Sequence, residues 1–133
     1  MNNKVVARFA DGRMVKGSTS DFVPTKEAFH VADANAGAGA PPIRIQVGDL
    51  KALFFVKDFA GSPAHKARND FADGRAPAGR KIQVVFKDGE TLAGTTQGYQ
   101  AGRPGFFMIP ADPDANTERC YVVTAATRSI TLL

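Results

Sequence analysis

The sequence predicts an all-β protein: two duplicated five-stranded small barrels packed together and joined by an irregular linker. Three observations predict it. Short runs alternate apolar with polar residues, the period of a half-buried strand. Gly, Asp and Pro punctuate those runs at turn spacing. The chain of 133 residues also repeats itself when slid by 77 positions, without insertion.

Residues 5–10 alternate Val5, Ala7 and Phe9 with Val6, Arg8 and Ala10, which reads as a strand. Asp11-Gly12 follows as a hairpin turn, because glycine accepts positive φ. Residues 14–19 form the return strand, and Gly17 within it predicts a bulge or sharp bend. Residues 21–26 turn around Pro24, and residues 28–32 set Phe29 and Val31 on one strand face. Residues 33–42, DANAGAGAPP, read as a surface loop of small residues. Ile43, Ile45 and Val47 alternate with Arg44 and Gln46 in a fourth strand; Gly48-Asp49 turns the chain, and residues 50–56, LKALFFV, form the fifth.

The shifted copy matches on the positions a fold dictates. Lys4 meets Lys81, Phe9 meets Phe86, and Asp11-Gly12 meets Asp88-Gly89. Gly17 meets Gly94, Thr19 meets Thr96, Phe22 meets Tyr99 and Phe29 meets Phe106. Ile45 meets Val122, Leu53 meets Ile130 and Phe55 meets Leu132. The expected division is a first barrel over residues 1–56, a linker over 57–80 and a second barrel over 81–133. Expected core residues are Ala7, Phe9, Phe29, Phe55, Phe86, Phe106, Ile130 and Leu132. Sheets this short carry unpaired edges, which invite pairing between the halves. The linker is rich in Gly, Pro and Ala and carries Lys57, Lys66, Arg68, Arg75 and Arg80, with a single helical turn around residues 64–71.

Asp11-Gly12, then Gly17, then Phe22 resembles the first motif of the Sm-like small barrel, the fold of the Sm proteins and bacterial Hfq. Asp88-Gly89, Gly94 and Tyr99 repeat it, and Val47-Gly48-Asp49-Leu50 resembles the second motif. The resemblance implies the barrel fold. It does not carry over the family's RNA-base pocket: Val23 and Gln100 follow the aromatics where that family has Asp, and Val47 precedes Gly48 where it has Arg. The second half, GYQAGRPGFFMIPADPDANTERCYVV, also resembles an uncharacterised bacterial family found near or within signalling and motility proteins. That resemblance implies a regulatory interaction module.

The net charge of +4 is mild and dispersed, so it permits an anionic partner without requiring one. One cysteine, Cys120, excludes an intrachain disulfide and fits a reducing cytoplasm; it reads as a packed thiol. No apolar run is long enough for a membrane span or the core of a signal peptide. His30 and His65 form no Ser-His-Asp or Cys-His arrangement by spacing, so no catalytic residue is expected. Asp112, Asp114 and Glu118 lack the spacing of a calcium loop, so no metal or cofactor is expected.

The distinctive stretch is residues 98–114, which the first half does not echo beyond Phe22 and Phe29. Arg103-Pro104-Gly105 makes a tight turn where a guanidinium and backbone N–H groups could hold a carboxylate or phosphate, or where Arg103 ties its own loop to Asp112 or Asp114. Phe107 alternates with Phe106 and so faces outward, towards a partner or the other barrel. Arg75 and Arg80, with Lys81, form a second basic group. The expected function is therefore a non-enzymatic cytoplasmic interaction or regulatory module. It would bind a protein partner through Tyr99, Arg103, Pro104 and Phe107, with Arg75 and Arg80 contributing. RNA binding, or sensing of an anionic nucleotide, is the alternative; oligomer formation stays open.

Overall fold

The alternation seen in the sequence becomes burial on one face. Ile82, Val84 and Phe86 are fully buried, while Lys81 before them and Gln83 between them are exposed. The computed structural model describes residues 3–34, 36, 39–57, 79–100, 102–111 and 116–133. The strands are β1 Asn3–Phe9, β2 Met14–Thr19, β3 Ala28–Asp33, β4 Ile43–Gln46 and β5 Leu50–Val56. They continue as β6 Arg80–Phe86, β7 Thr91–Thr96, β8 Gly105–Pro110, β9 Thr117–Val123 and β10 Thr127–Leu132. Short 3-10 turns at Val47–Asp49 and Thr124–Ala126 precede β5 and β10. The protein is all-β, as the sequence predicts. β6 begins at Arg80, one residue inside the expected linker, whose possible helical turn lies outside the described residues.

All ten strands join in a single antiparallel sheet of order β10-β6-β7-β8-β9-β5-β1-β2-β3-β4. Among the described residues the order is linear, so this ladder does not close; β10 and β4 are its two edges there. Each half contributes its strands in the same sequence: fifth, first, second, third, fourth. The registers coincide as well. Val5 opposite Gly17 becomes Ile82 opposite Gly94, and Phe29 opposite Ile45 becomes Phe106 opposite Val122. Even the irregularity recurs: the β1–β5 ladder shifts after Arg8 opposite Ala52, and the β6–β10 ladder shifts at the equivalent Ser129 opposite Val85.

Gly17 does not mark a bulge. The β1–β2 register runs unbroken through it, and its role is close approach instead. A Cβ there would stand 2.2 Å from the Ala32 carbonyl oxygen, and at Gly94 it would stand 2.0 Å from the Ile109 carbonyl oxygen. The third strand of each half can therefore swing across the second at the glycine and continue onto the fourth. β3 pairs β2 only at Ala32 and Asp33, and pairs β4 from Ala28 to Val31. β8 divides its pairing between β7 and β9 in the same way.

The halves meet where β5 pairs β9, from Ala52 opposite Val122 to Val56 opposite Thr117. This seam is also a core. One apolar cluster gathers Val5, Phe29, Ile45, Leu53 and Phe55 of the first half, yet includes Tyr121 and Val123 of the second. The other gathers Ile82, Val84, Phe86, Phe106 and Val122, yet includes Ala52 of the first half, with Phe54 packed against it. Six of the expected core residues are buried; Ile130 is half-buried. Leu132 is 36% exposed, because β10 has a neighbour on one side only.

Candidate functional site: a groove across the seam

The turn before β3 and the turn before β8 are each tied down by a 3-10 turn. Val47 N–H donates to the Glu27 carbonyl at 2.8 Å, and Thr124 N–H donates to the Pro104 carbonyl at 2.9 Å. Between these turns lies a groove of about 760 Å³. The first half supplies Pro24, Lys26, Glu27, Gln46 and Val47; the second supplies Arg103, Pro104, Tyr121, Val123 and Thr124. Lys26 and Arg103 are exposed cations and Glu27 an exposed anion. Apolar surface predominates on the walls, with Pro24, Val47, Pro104 and Val123.

Tyr121 is held at this groove by packing. A Cβ on Gly105 would stand 2.5 Å from its ring, so the glycine is what lets the ring lie over the start of β8. Its other neighbours are aromatic: Phe107 at 5.1 Å and Phe22 at 5.2 Å between centroids, both edge-on. Burial pushes the Tyr121 phenol above its usual value.

Of the expected site residues, the structure brings Arg103 and Pro104 together in the groove. Arg103 Nε donates to Gln100 Oε1 at 2.8 Å, which orients the guanidinium from within its own turn. Asp112 and Asp114, its expected alternatives, lie outside the described residues, as does Arg75. Tyr99 is half-buried and packs edge-on against Phe106 at 4.9 Å, in the second core cluster. Phe107 is also half-buried, against the first cluster, with Phe55 at 6.1 Å and the Arg119 guanidinium 5.1 Å above its ring. Of the two occupants the sequence left open for Phe107, the structure shows the other half. Arg80 is exposed at the start of β6, opposite Thr96.

A second polar cluster lies on the seam and was not anticipated. Lys51 on β5 is only 8% exposed, and its Nζ donates to Asp88 Oδ2 at 2.7 Å and to Glu90 Oε1. The same ammonium stands 4.7 Å from the centroid of Phe86. Burial alone would pull the Lys51 amine down, but the bonds from Asp88 and Glu90 outweigh it and the net shift is upward. Asp88 is held below the usual carboxylate range, chiefly by the hydrogen bond from Lys51. The signal was present in the repeat: Glu90 stands where the first half has Arg13, and Lys51 stands where the second half has Arg128.

Among the described residues, no group of three or more His, Cys, Asp or Glu could hold a metal ion, and no helix is long and apolar enough to cross a membrane. Cys120 is fully buried, and burial drives its thiol far above the usual range. An all-β protein built on one ten-stranded antiparallel sheet, with a cation-rimmed groove, is thus the class that fold and site define. The whole chain, residues 1–133, matches the Family of unknown function (DUF6982), and the protein belongs to that family. No curated protein and no solved structure matches it.

Proposed function

We propose that this chain is a non-catalytic, cytoplasmic interaction module whose seam groove takes an extended acidic segment of a partner protein. One observation carries the reading: the groove draws Lys26 from one half and Arg103 from the other around a largely apolar lining. An extended acidic peptide offers both complements, carboxylates for the cations and apolar side chains for the walls. The Arg fork suits a carboxylate, and Gln100 already orients it.

The scaffold beneath is read as two curled, duplicated five-stranded units of the Sm-like kind, divided near residues 57–80. Support comes from the coincident registers, the recurring Asp-Gly, Gly and aromatic positions, and an apolar cluster centred in each half. The residues of the Sm base pocket are missing from the matching positions, which favours a protein partner over RNA. The test is affinity purification from the native cell, with and without nuclease, using the wild type and Arg103→Ala and Lys26→Ala variants. A protein partner should survive nuclease, and each variant should lower its recovery roughly tenfold, the loss of one charge-assisted hydrogen bond. Recovery abolished by nuclease would transfer the groove to nucleic acid. Undiminished recovery by both variants would remove it as the site.

A further inference from the structure

We infer that Arg13 and Pro42 stop the sheet from adding further copies of this chain, so that the two-repeat array ends at its own edges. The seam shows what addition would require. β5 of one repeat pairs β9, the fourth strand of the other, and Lys51 reaches into a socket made by Phe86, Asp88 and Glu90. The repeat places the same two elements at the open ends. β10 is the counterpart of β5, β4 is the counterpart of β9, and Arg128 is the counterpart of Lys51. A heterologous contact of this kind propagates head to tail unless something blocks it. Both edges also expose apolar side chains: Ile43 is 37% exposed, Leu132 36% and Leu133 64%. Unguarded edges with such residues are pairing templates.

The guards sit at seam positions. In the outer socket, Phe9 and Asp11 replace Phe86 and Asp88, but Arg13 replaces Glu90. Arg13 fills the socket from its own hairpin: its Nε donates to Asp11 Oδ2 at 2.7 Å, and its Cζ lies 4.7 Å from the Phe9 centroid. An incoming Arg128 would find the aromatic face covered and a like charge where Lys51 finds a carboxylate. Immediately before β4, Pro42 takes the place of Arg119. Thr124 N–H bonds back to the Pro104 carbonyl on the β8 side, so strand alternation turns the Arg119 N–H towards β5. Val47 N–H bonds back towards β3 in the same manner, so the outward donor at position 42 is the one proline lacks. β4 is correspondingly cut to Ile43–Gln46, against Thr117–Val123 for β9. A filled socket, and an edge proline with the shortened strand that follows it, are two ways of blunting an edge.

The experiment installs the seam's residue types at the edge. Wild type, Arg13→Glu, Pro42→Arg and the double variant are compared by light scattering after size exclusion, with circular dichroism to confirm folding. Wild type should run as one chain at every concentration, and the double variant should associate with rising concentration. Adding Leu132→Pro should return the double variant to one chain. The Leu132 N–H faces away from β6, because Leu133 N–H bonds to Lys81, so that change removes an outward donor and spares the internal ladder. Arg13 is an exposed side chain, so Arg13→Glu alone reads the socket even if Pro42→Arg disturbs the loop; it should weaken the monomer's dominance measurably. A wild type that already associates through the β10 edge overturns the inference. So does a folded double variant that stays a single chain.

Discussion

Lys51 and Asp88 lie 2.7 Å apart and belong to different halves of the chain. The lysine is nearly buried while the carboxylate is 56% exposed, so the bond is a clasp closed from the first half onto the hairpin of the second. Its stem and ammonium also cover Phe86. Replacing Lys51 by Ala should lower stability by about 2 kcal/mol, combining lost stem packing with lost charge-assisted hydrogen bonding. Urea unfolding midpoints would measure it, and an unchanged midpoint would contradict the clasp.

The same clasp sets a pH window. Asp88, Asp11 and Asp21 are held below the usual 3.8 by hydrogen bonds, from Lys51, from the Arg13 backbone and from the His30 backbone respectively. A depressed carboxylate contributes stability above its unfolded value and loses it as pH falls through the folded value. Lys51 is raised above 10.5, so its share is full below that value and is lost as pH rises through the folded one. Stability should therefore hold across neutral pH and fall below about pH 4. In Lys51→Met the acid fall should be shallower, as thermal melts across pH would show.

Gly94 faces the Ile109 carbonyl oxygen, which a Cβ would approach to 2.0 Å. Backbone cannot rotate aside as a side chain can. Gly94→Ala should therefore cost about 2–3 kcal/mol by overpacking. Gly89→Ala at the hairpin, where φ is 95° but nothing lies within 4 Å, should cost less, about 1 kcal/mol of backbone strain. Equal losses in a thermal-shift comparison would refute this ranking.

Phe107 packs among Phe22, Phe55 and Tyr121 at the seam, so Phe107→Ala should destabilise by about 3 kcal/mol. Arg103→Ala removes an exposed side chain and should leave stability within about 0.5 kcal/mol. Chemical denaturation of both variants separates a packing residue from a surface one.

Cys120 should resist thiol reagents in the folded protein and react fully in denaturant, because its side chain is buried and its thiolate strongly disfavoured. Rapid labelling of the native protein would show that β9 opens readily.

The strands were legible because each half writes its own alternation and turn chemistry, and because the repeat confirmed each position twice. Ala7, Phe29 and Phe86 could be assigned to the interior on that pattern alone. The seam was not legible in the same way. Tyr121, Val123 and Ala52 serve the core of the opposite half, a fact that no local period encodes. Phe107 looked outward because alternation says only that it opposes Phe106; what covers it is set by β5 and β9. Lys26 reaches the groove through a tertiary approach between two turns, while Arg103 was found because its turn chemistry is local. The clasp left a trace that repeat comparison alone exposes: Glu90 differs in sign from Arg13 just where Lys51 arrives.

The shared seam also bears on how the chain reaches this structure. Among the described residues, every ladder other than β5–β9 joins strands of one half, although β1–β5 and β6–β10 already close each half from its first strand to its last. The β5–β9 ladder alone among them joins the halves, bringing the end of the first half onto β9, with a slightly larger loop-closure entropy than the ladders that close each half. Neither apolar cluster is complete before that step, since each borrows side chains across it. Two units that look separable in sequence thus acquire their stability together, as a single cooperative event.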